Sequence, residues 1–113
     1  MTKGKIVLVP FPFDDLSATK VRPAVCLTNP IGPYNHIILA FITSKIPTDL
    51  LEPDIVLDTT HPDFAASGLH RASTIRLDRL MTVRKSVVQR ELGQLSTDTQ
   101  ILIAEKLSKL LAK

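Results

Sequence analysis

The prolines divide this chain into two parts. All eight lie within the first 62 residues, and none follows. Because proline lacks a backbone N–H and fixes φ, it is excluded from helix interiors and marks turns and strand ends. The first part is therefore predicted to consist of short strands. The expected strands cover residues 5–9, 21–28, 36–44 and 54–57.

Two segments have patterns that are typical of strands at different depths. Residues 37–42 read IILAFI and contain no polar side chain, which is typical of a central strand covered on both faces. Residues 73–78 read STIRLD and alternate between polar and apolar side chains, which is typical of a half-buried strand. We therefore expect residues 37–42 at the centre of a sheet.

Helix signals come only after these strand patterns. Residues 85–92 are predicted to form a short helix ended by Gly93, since glycine is favoured just past a helix end. Ser96, with Asp98 in the following turn, is typical of a helix N-cap. The apolar stripe of the C-terminal helix, which we expect to dock on the core, consists of Ile103, Leu107, Leu110 and Leu111. Close strands followed by a terminal helix predict a mainly β protein, a small twisted barrel or curled sheet with one helix.

The length and composition are typical of one cytoplasmic domain. The 113 residues are predicted to form a single domain, residues 1–113. No apolar run approaches the roughly 20 residues of a membrane span, and the first residues lack the pattern of a signal peptide, so we expect no membrane partner. Cys26 is the only cysteine, which excludes an internal disulfide and fits a reducing compartment.

The charges are segregated along the chain, although the formal net charge is only +3. Residues 49–63 contain five acids and no lysine or arginine, whereas residues 71–90 contain six bases and a single acid, Asp78. The basic segment suits a nucleic-acid partner, because lysines and arginines that neutralise phosphates release counterions. The same pattern also fits an ordinary solvated surface, so charge alone leaves the partner open.

Common catalytic and cofactor motifs are absent from the sequence. The four glycines are isolated, so there is no glycine-rich phosphate loop, and Ser67 lacks the flanking pattern of a nucleophile elbow. No two of His36, His61 and His70 have the spacing of metal ligands. We expect neither a metal nor another cofactor. A nuclease that uses these histidines remains an alternative.

Three segments, taken in order, carry a family resemblance. They are GKIVLVPFPF (4–13) with KVRPAVCL (20–27), LAFITS (39–44), and the stretch from SGL (67–69) to STIRLDRLMT (73–82). Over residues 4–95 the chain resembles the MazF/PemK family, the RNA-cleaving toxins of type II toxin–antitoxin modules. Lys5 departs from the family, in which many members carry an acid after the first glycine. We expect this change to affect dimer contacts or antitoxin fit more than chemistry.

The resemblance implies a fold, an activity and partners. The implied fold is an SH3-like β-barrel, the plasmid-maintenance toxin fold, with a C-terminal helix and a symmetric homodimer. The implied activity is metal-independent, sequence-specific cleavage of single-stranded mRNA. The implied partners are this RNA and a cognate antitoxin, with DNA binding only as the toxin–antitoxin complex. The alternative is a non-catalytic barrel that binds a protein, as gyrase-targeting toxins do, or a nucleic acid.

Two sets of catalytic residues follow from the resemblance. The arginine of the Arg-Pro motif and the threonine of the Thr-Ser motif correspond to Arg22 and Thr43, and the Arg-x-Asp pattern corresponds to Arg76 and Asp78. A guanidinium is a poor base but a good bidentate clamp for phosphate, whereas Asp78 can accept the proton of a ribose 2′-hydroxyl. The alternative for Arg76 and Asp78 is a surface ion pair without function. The RNA contacts that we expect around these four come from Phe13, Ser17, Lys20, Ser44 and Arg79.

Overall fold

The strands predicted from the proline-rich part are present in the structure, a computed structural model that describes residues 2–11 and 20–113. It also contains a sixth strand and a short helix that were not predicted. In chain order the elements are β1 (Lys5–Phe11), β2 (Lys20–Cys26), β3 (His36–Thr43), β4 (Ile55–Leu57), α1 (Phe64–Ser67), β5 (Ser73–Arg84), β6 (Arg90–Gln94) and α2 (Thr97–Leu111), with a 3₁₀ turn at Lys85–Val87.

Within the described residues the strands form one six-stranded antiparallel sheet. Its order is β4-β5-β3-β2-β1-β6. The first strand lies inside the sheet, because β1 pairs with β2 on one side and with β6 on the other. The sheet curls into a half-barrel and is followed by α2, so the predicted mainly β fold with a C-terminal helix is confirmed.

Both faces of the sheet are covered by apolar packing. The α2 face carries a cluster that includes Ile103 of the helix, and the face turned away from α2, which we call the distal face, carries a second cluster. Because side chains alternate along a strand, β3 contributes Ile37 and Leu39 to the distal face and Ala40 and Ile42 to the α2 face. The prediction that residues 37–42 form a central strand covered on both faces is confirmed.

The prediction of a helix over residues 85–92 is wrong. β5 continues to Arg84, a single 3₁₀ turn follows, and Arg90–Gln94 forms the edge strand β6 against β1. Gly93 lies within this strand instead of ending a helix. A Cβ at this position would overlap the carbonyl oxygen of Ala66 and approach the carbonyl oxygen of Ser67 to 2.6 Å. The glycine therefore permits close packing of β6 against α1.

The C-terminal helix begins where the N-cap pattern placed it. The Ser96 side chain accepts a hydrogen bond from the Thr99 amide at 3.3 Å, which confirms the predicted cap. Ile103 is buried and Leu107 packs against the core, but Leu111 is 73% exposed, so the predicted stripe docks only in part. None of the helices in the described ranges is both long and apolar enough to cross a membrane.

The short helix α1 is joined to the start of α2 by Asp63. This residue occupies the N-cap position of α1 and is buried. Its Oδ2 accepts two hydrogen bonds of 2.9 Å, from the Ser96 amide and from Ser96 Oγ. Burial alone would raise the pKa of Asp63, but hydrogen bonds from Thr99 and Ser96 outweigh it and hold the pKa below its ordinary value. One ionised carboxylate therefore links the two helices.

Candidate active site

Arg22 and Thr43 lie at the same end of the distal face. Arg22 pairs with Val9 of β1, which is buried in the distal cluster. In the antiparallel pairing of β2 with β3, Ala24 lies opposite Phe41. Continuing this register by two residues aligns Arg22 with Thr43 at the end of β3. Arg22 precedes Pro23, which holds the backbone extended and aims the arginine from a fixed strand position. Both side chains are half-buried.

Arg76 reaches the same face from β5. It pairs with Phe41, two residues before Thr43 on β3. With spacings of about 4.8 Å between strands and 3.4 Å per residue, the Cα atoms of Arg22 and Arg76 lie about 12 Å apart. Two arginine side chains that project from one face at this separation are long enough to contact the same phosphodiester.

Asp78 and Arg79 lie in a bulge of β5. Ala40 pairs with Leu80, but the next residue of β3, Phe41, pairs with Arg76. Three residues of β5 are therefore extra, and the first of them, Leu77, is fully buried in the core. Bulges of this kind re-aim side chains beside the ladder. The regular strand predicted over residues 73–78 is thus interrupted at its end, and Asp78 and Arg79 are exposed.

The main partner of Arg76 is Asp54, which belongs to none of the sequence motifs. Arg76 Nε lies 3.0 Å from Oδ1 of Asp54 and 3.9 Å from Oδ1 of Asp78. The Asp54 side chain is fully buried, whereas that of Asp78 is 35% exposed. Asp78 therefore lies beside Arg76, but the shorter contact of Arg76 goes to Asp54. Removing one partner of a buried ion pair costs about 3–5 kcal/mol, because the other charge stays buried.

A threonine fixes the segment that follows Thr43. Thr74 pairs with Thr43 and is fully buried on the distal face. Its Oγ1 donates a hydrogen bond to the carbonyl oxygen of Lys45 at 3.0 Å. This contact connects β5 to the turn after β3, so the end of β3 that carries Thr43 is held in place.

The predicted RNA-contacting residues are only partly visible at this site. Ser44 is exposed and lines a separate cleft of about 200 Å³, together with Pro23, Leu69 and other residues that flank the sheet. The structure therefore does not place Ser44 among the four candidate catalytic side chains. Phe13 and Ser17 lie outside the described residues, and of Lys20 only the backbone is described, at the start of β2.

The histidines and the cysteine lie in separate surroundings. His36 begins β3, His70 is exposed, and His61 Nδ1 accepts a hydrogen bond from the Asp63 amide at 3.0 Å. Burial, and to a smaller extent Glu91, raises the pKa of the Cys26 thiol to about 11, so it is protonated at neutral pH. Among residues 2–11 and 20–113, no three His, Cys, Asp or Glu side chains are grouped so that they could hold a metal ion.

Comparison of the sequence with protein families decides the relationship. Residues 2–111 match the family described as PemK-like, MazF-like toxin of type II toxin–antitoxin system. The chain belongs to this toxin family. The resemblance inferred from the Arg-Pro, Thr-Ser and Arg-x-Asp segments is confirmed. No curated protein sequence matches the chain.

Solved structures with a similar fold agree with the family. The Mycobacterium tuberculosis toxin MazF-mt6 has a TM-score of 0.72 and 20% identity, over 96% of each chain. An endoribonuclease from a mycobacterial species, solved in complex with its cognate antitoxin, has a TM-score of 0.70 and 14% identity, over 99% of this chain and 95% of that one. At these identities the likeness shows the fold, which is that of MazF toxins.

Proposed function

We propose that this protein is the toxin of a type II toxin–antitoxin pair and a metal-independent endoribonuclease that cleaves single-stranded mRNA at specific sequences. The observation that carries the proposal is the position of Arg22, Thr43 and Arg76 at one end of the distal face, with Asp78 beside Arg76. Two cations, a hydroxyl and an accessible carboxylate are the groups that cleavage next to a ribose requires. We propose that residues 1–113 act as one toxin domain, in the cytoplasm where mRNA is found.

In the proposed reaction the ribose 2′-hydroxyl attacks its own phosphodiester. Asp78 accepts the 2′ proton, the 2′ oxygen bonds to phosphorus, and the bond from phosphorus to the 5′ oxygen breaks. The products are a 2′,3′-cyclic phosphate and a 5′-hydroxyl. A water molecule protonates the departing 5′ oxygen, and the hydroxide that it leaves takes up the proton from Asp78, so the carboxylate is restored.

The two arginines are assigned to the charge that develops on the phosphate. Arg22 grips two phosphate oxygens through its planar fork, and Thr43 donates a hydrogen bond to the same group. Arg76 contacts the phosphate from β5, about 12 Å away across the sheet. In this scheme the two residue sets act as one site, and the guanidinium groups supply the stabilisation that a metal ion gives in other nucleases.

The remaining contacts are assigned to flanking nucleotides and to protein partners. Phe13, Ser17, Lys20, Ser44 and Arg79 are proposed to bind RNA on either side of the scissile phosphate. A mycobacterial endoribonuclease of the same fold is known in complex with its cognate antitoxin. This supports a cognate antitoxin as the protein partner, with DNA binding only by the toxin–antitoxin complex.

The proposed activity is tested by incubating the purified protein with a long single-stranded RNA in excess EDTA. We expect cleavage at discrete positions, which Arg22→Ala and Asp78→Asn both reduce strongly. Arg90→Ala is the control for loss of an arginine, because Arg90 lies on the same sheet but is exposed on the edge strand β6. Intact RNA together with growth arrest on expression would instead support a toxin that acts by binding.

A further inference from the structure

We propose that Asp54 is a positioning residue. It orients the guanidinium of Arg76 so that the two terminal nitrogens, Nη1 and Nη2, face the RNA phosphate. This inference rests on the proposed RNA cleavage. It assigns a role to a buried acid that belongs to neither of the two expected catalytic sets.

The position of Asp54 in the fold makes it a rigid anchor. Its amide donates to the carbonyl oxygen of Leu51 at 3.0 Å, and its Oδ2 accepts from the Leu51 amide at 2.9 Å. These two hydrogen bonds close the turn that leads into β4. Because β4 pairs directly with β5, through Ile55 opposite Ile75, the carboxylate is held beside the strand that carries Arg76.

The charge of Asp54 is not required for the turn itself. An asparagine at this position would accept the same hydrogen bond from Leu51 and close the same turn. The second oxygen, Oδ1, is the one directed to Arg76, at 3.0 Å from Nε. Both atoms are buried and neither makes a hydrogen bond, so the contact is a close ion pair without hydrogen-bond alignment. Burying a carboxylate is unfavourable unless a cation accompanies it, so the Asp54 side chain and Arg76 depend on each other.

The geometry of the contact determines which edge of the guanidinium is left for a ligand. Both carboxylates approach Arg76 at the same atom, Nε, with Asp54 at 3.0 Å and Asp78 at 3.9 Å. A guanidinium held at Nε still has the two terminal Nη groups, which form the fork that matches two phosphate oxygens. The Arg76 side chain is only 15% exposed, so little of it is open to a ligand and its orientation decides which atoms a phosphate can reach.

An inert ion pair that only stabilises the fold is the competing explanation, and the test separates the two. Asp54→Asn keeps the turn and removes the charge, and Asp49→Asn makes the same change at an exposed position of the same connection. We expect Asp54→Asn to lower the single-turnover cleavage rate at saturating RNA by about 10- to 100-fold, the range for a misplaced catalytic group. RNA affinity should change far less, and Asp49→Asn should behave as wild type.

The same substitution in an Arg76→Ala background identifies the path of the effect. If Asp54 acts through Arg76, adding Asp54→Asn to Arg76→Ala causes no further loss of rate. A folded Asp54→Asn protein that cleaves as fast as wild type overturns the proposal, as does an equal loss in both backgrounds. Should Asp54→Asn fail to fold, Asp54→Glu retains the charge and shifts the carboxylate by one methylene. A folded Glu variant with the wild-type rate overturns the proposal equally.

The mobility of the Arg76 side chain can be measured without RNA cleavage, so the role of Asp54 can be tested separately from the proposed function. The Nε–Hε group of Arg76 can be followed by ¹⁵N relaxation in the protein without RNA. We expect it to be as rigid as the backbone in wild type and in Asp49→Asn, and mobile in Asp54→Asn. If wild type cleaves no RNA, the proposed function fails, and the relaxation data alone decide whether Asp54 positions Arg76. Equal rigidity in all three proteins would overturn the anchoring.

Discussion

Arg22 is the residue whose side-chain shape matters most to the proposed chemistry. Its position on β2, aligned with Thr43 and before Pro23, fixes the backbone from which the guanidinium projects. An ammonium carries the same charge but lacks the planar fork that holds two phosphate oxygens. The contribution of shape can therefore be separated from that of charge by substitution at this one residue.

Arg22→Ala is expected to lower the single-turnover cleavage rate by about 10²–10³-fold, the usual cost of losing one donor to a transition-state oxyanion. Arg22→Lys should also be impaired. Circular dichroism serves as the control for folding. If Arg22→Ala cleaves at a rate within threefold of wild type, Arg22 is not a catalytic residue. If Arg22→Lys recovers most of the rate, Arg22 contributes only its positive charge.

The candidate residues could be predicted from the sequence, but their contacts could not. Arg22, Thr43, Arg76 and Asp78 lie in short motifs, which are local patterns. The contact between Arg76 and Asp54 joins residues from different strands, and the bulge at Leu77 shows only in the register with β3. The available signal for Asp54 was an acid directly before the apolar residues of β4. That signal names no partner.

At the scale of elements, the junction between α1 and α2 depends on an ionised Asp63. Its pKa is held below the ordinary value of 3.8, so it binds fewer protons in the folded protein than in the unfolded chain. The stability that it contributes is therefore fully present above that value and is lost as the pH falls below it. Hydrogen bonds to a charged group contribute about 1.5–3 kcal/mol.

Asp63→Asn is accordingly expected to lower the free energy of unfolding at pH 7 by about 1.5–3 kcal/mol. The difference from wild type should shrink as the pH is lowered through 3.8 and below, because wild-type Asp63 then becomes protonated. Urea unfolding at a series of pH values, at one protein concentration, measures this difference. A difference that stays constant down to pH 2.5 would show that the charge of Asp63 does not stabilise the junction.

Besides the Asp63 junction, α1 packs against β6 at Gly93. Gly93→Ala places a methyl group against the carbonyl oxygens of Ala66 and Ser67, so β6 and α1 must separate. We expect a loss of about 1–3 kcal/mol, the usual cost of overpacking. Thermal unfolding measures it, with the exposed neighbour changed in Gln94→Ala as the control. If Gly93→Ala melts at the same temperature as Gln94→Ala, β6 and α1 accommodate the methyl group without loss of stability.

The elements differ in how far local sequence determines them. The prolines and the apolar run of residues 37–42 specify strands locally, and Ser96 specifies a helix start, so these predictions were confirmed. The sequence RELGQ of β6 has no β-branched residue and contains a glycine. It becomes a strand by pairing with β1, more than 80 residues earlier in the chain. Tertiary contacts of this kind override local propensity.

At the scale of the whole molecule, the resemblance implies a symmetric homodimer with a groove shared by the two subunits. Several large apolar side chains are exposed in the single chain, among them Leu80, Ile101 and Leu102. Burial of such side chains in an interface would favour association. Sedimentation at micromolar concentration is expected to give a species of twice the 12.5 kDa chain mass. Only the 12.5 kDa species would contradict the proposed dimer.

Attack of the ribose 2′-hydroxyl on the neighbouring phosphate is the central step of the proposed reaction, and it is tested most directly by changing that single group in the substrate. A cleavage position is first mapped on a long RNA, and a short RNA that spans it is then prepared with ribose or with one 2′-deoxyribose at that position. In EDTA, we predict that the all-ribose RNA is cut to a 2′,3′-cyclic phosphate and a 5′-hydroxyl, and that the 2′-deoxy RNA stays intact. Cleavage of both RNAs at that position, or of neither, would contradict the account.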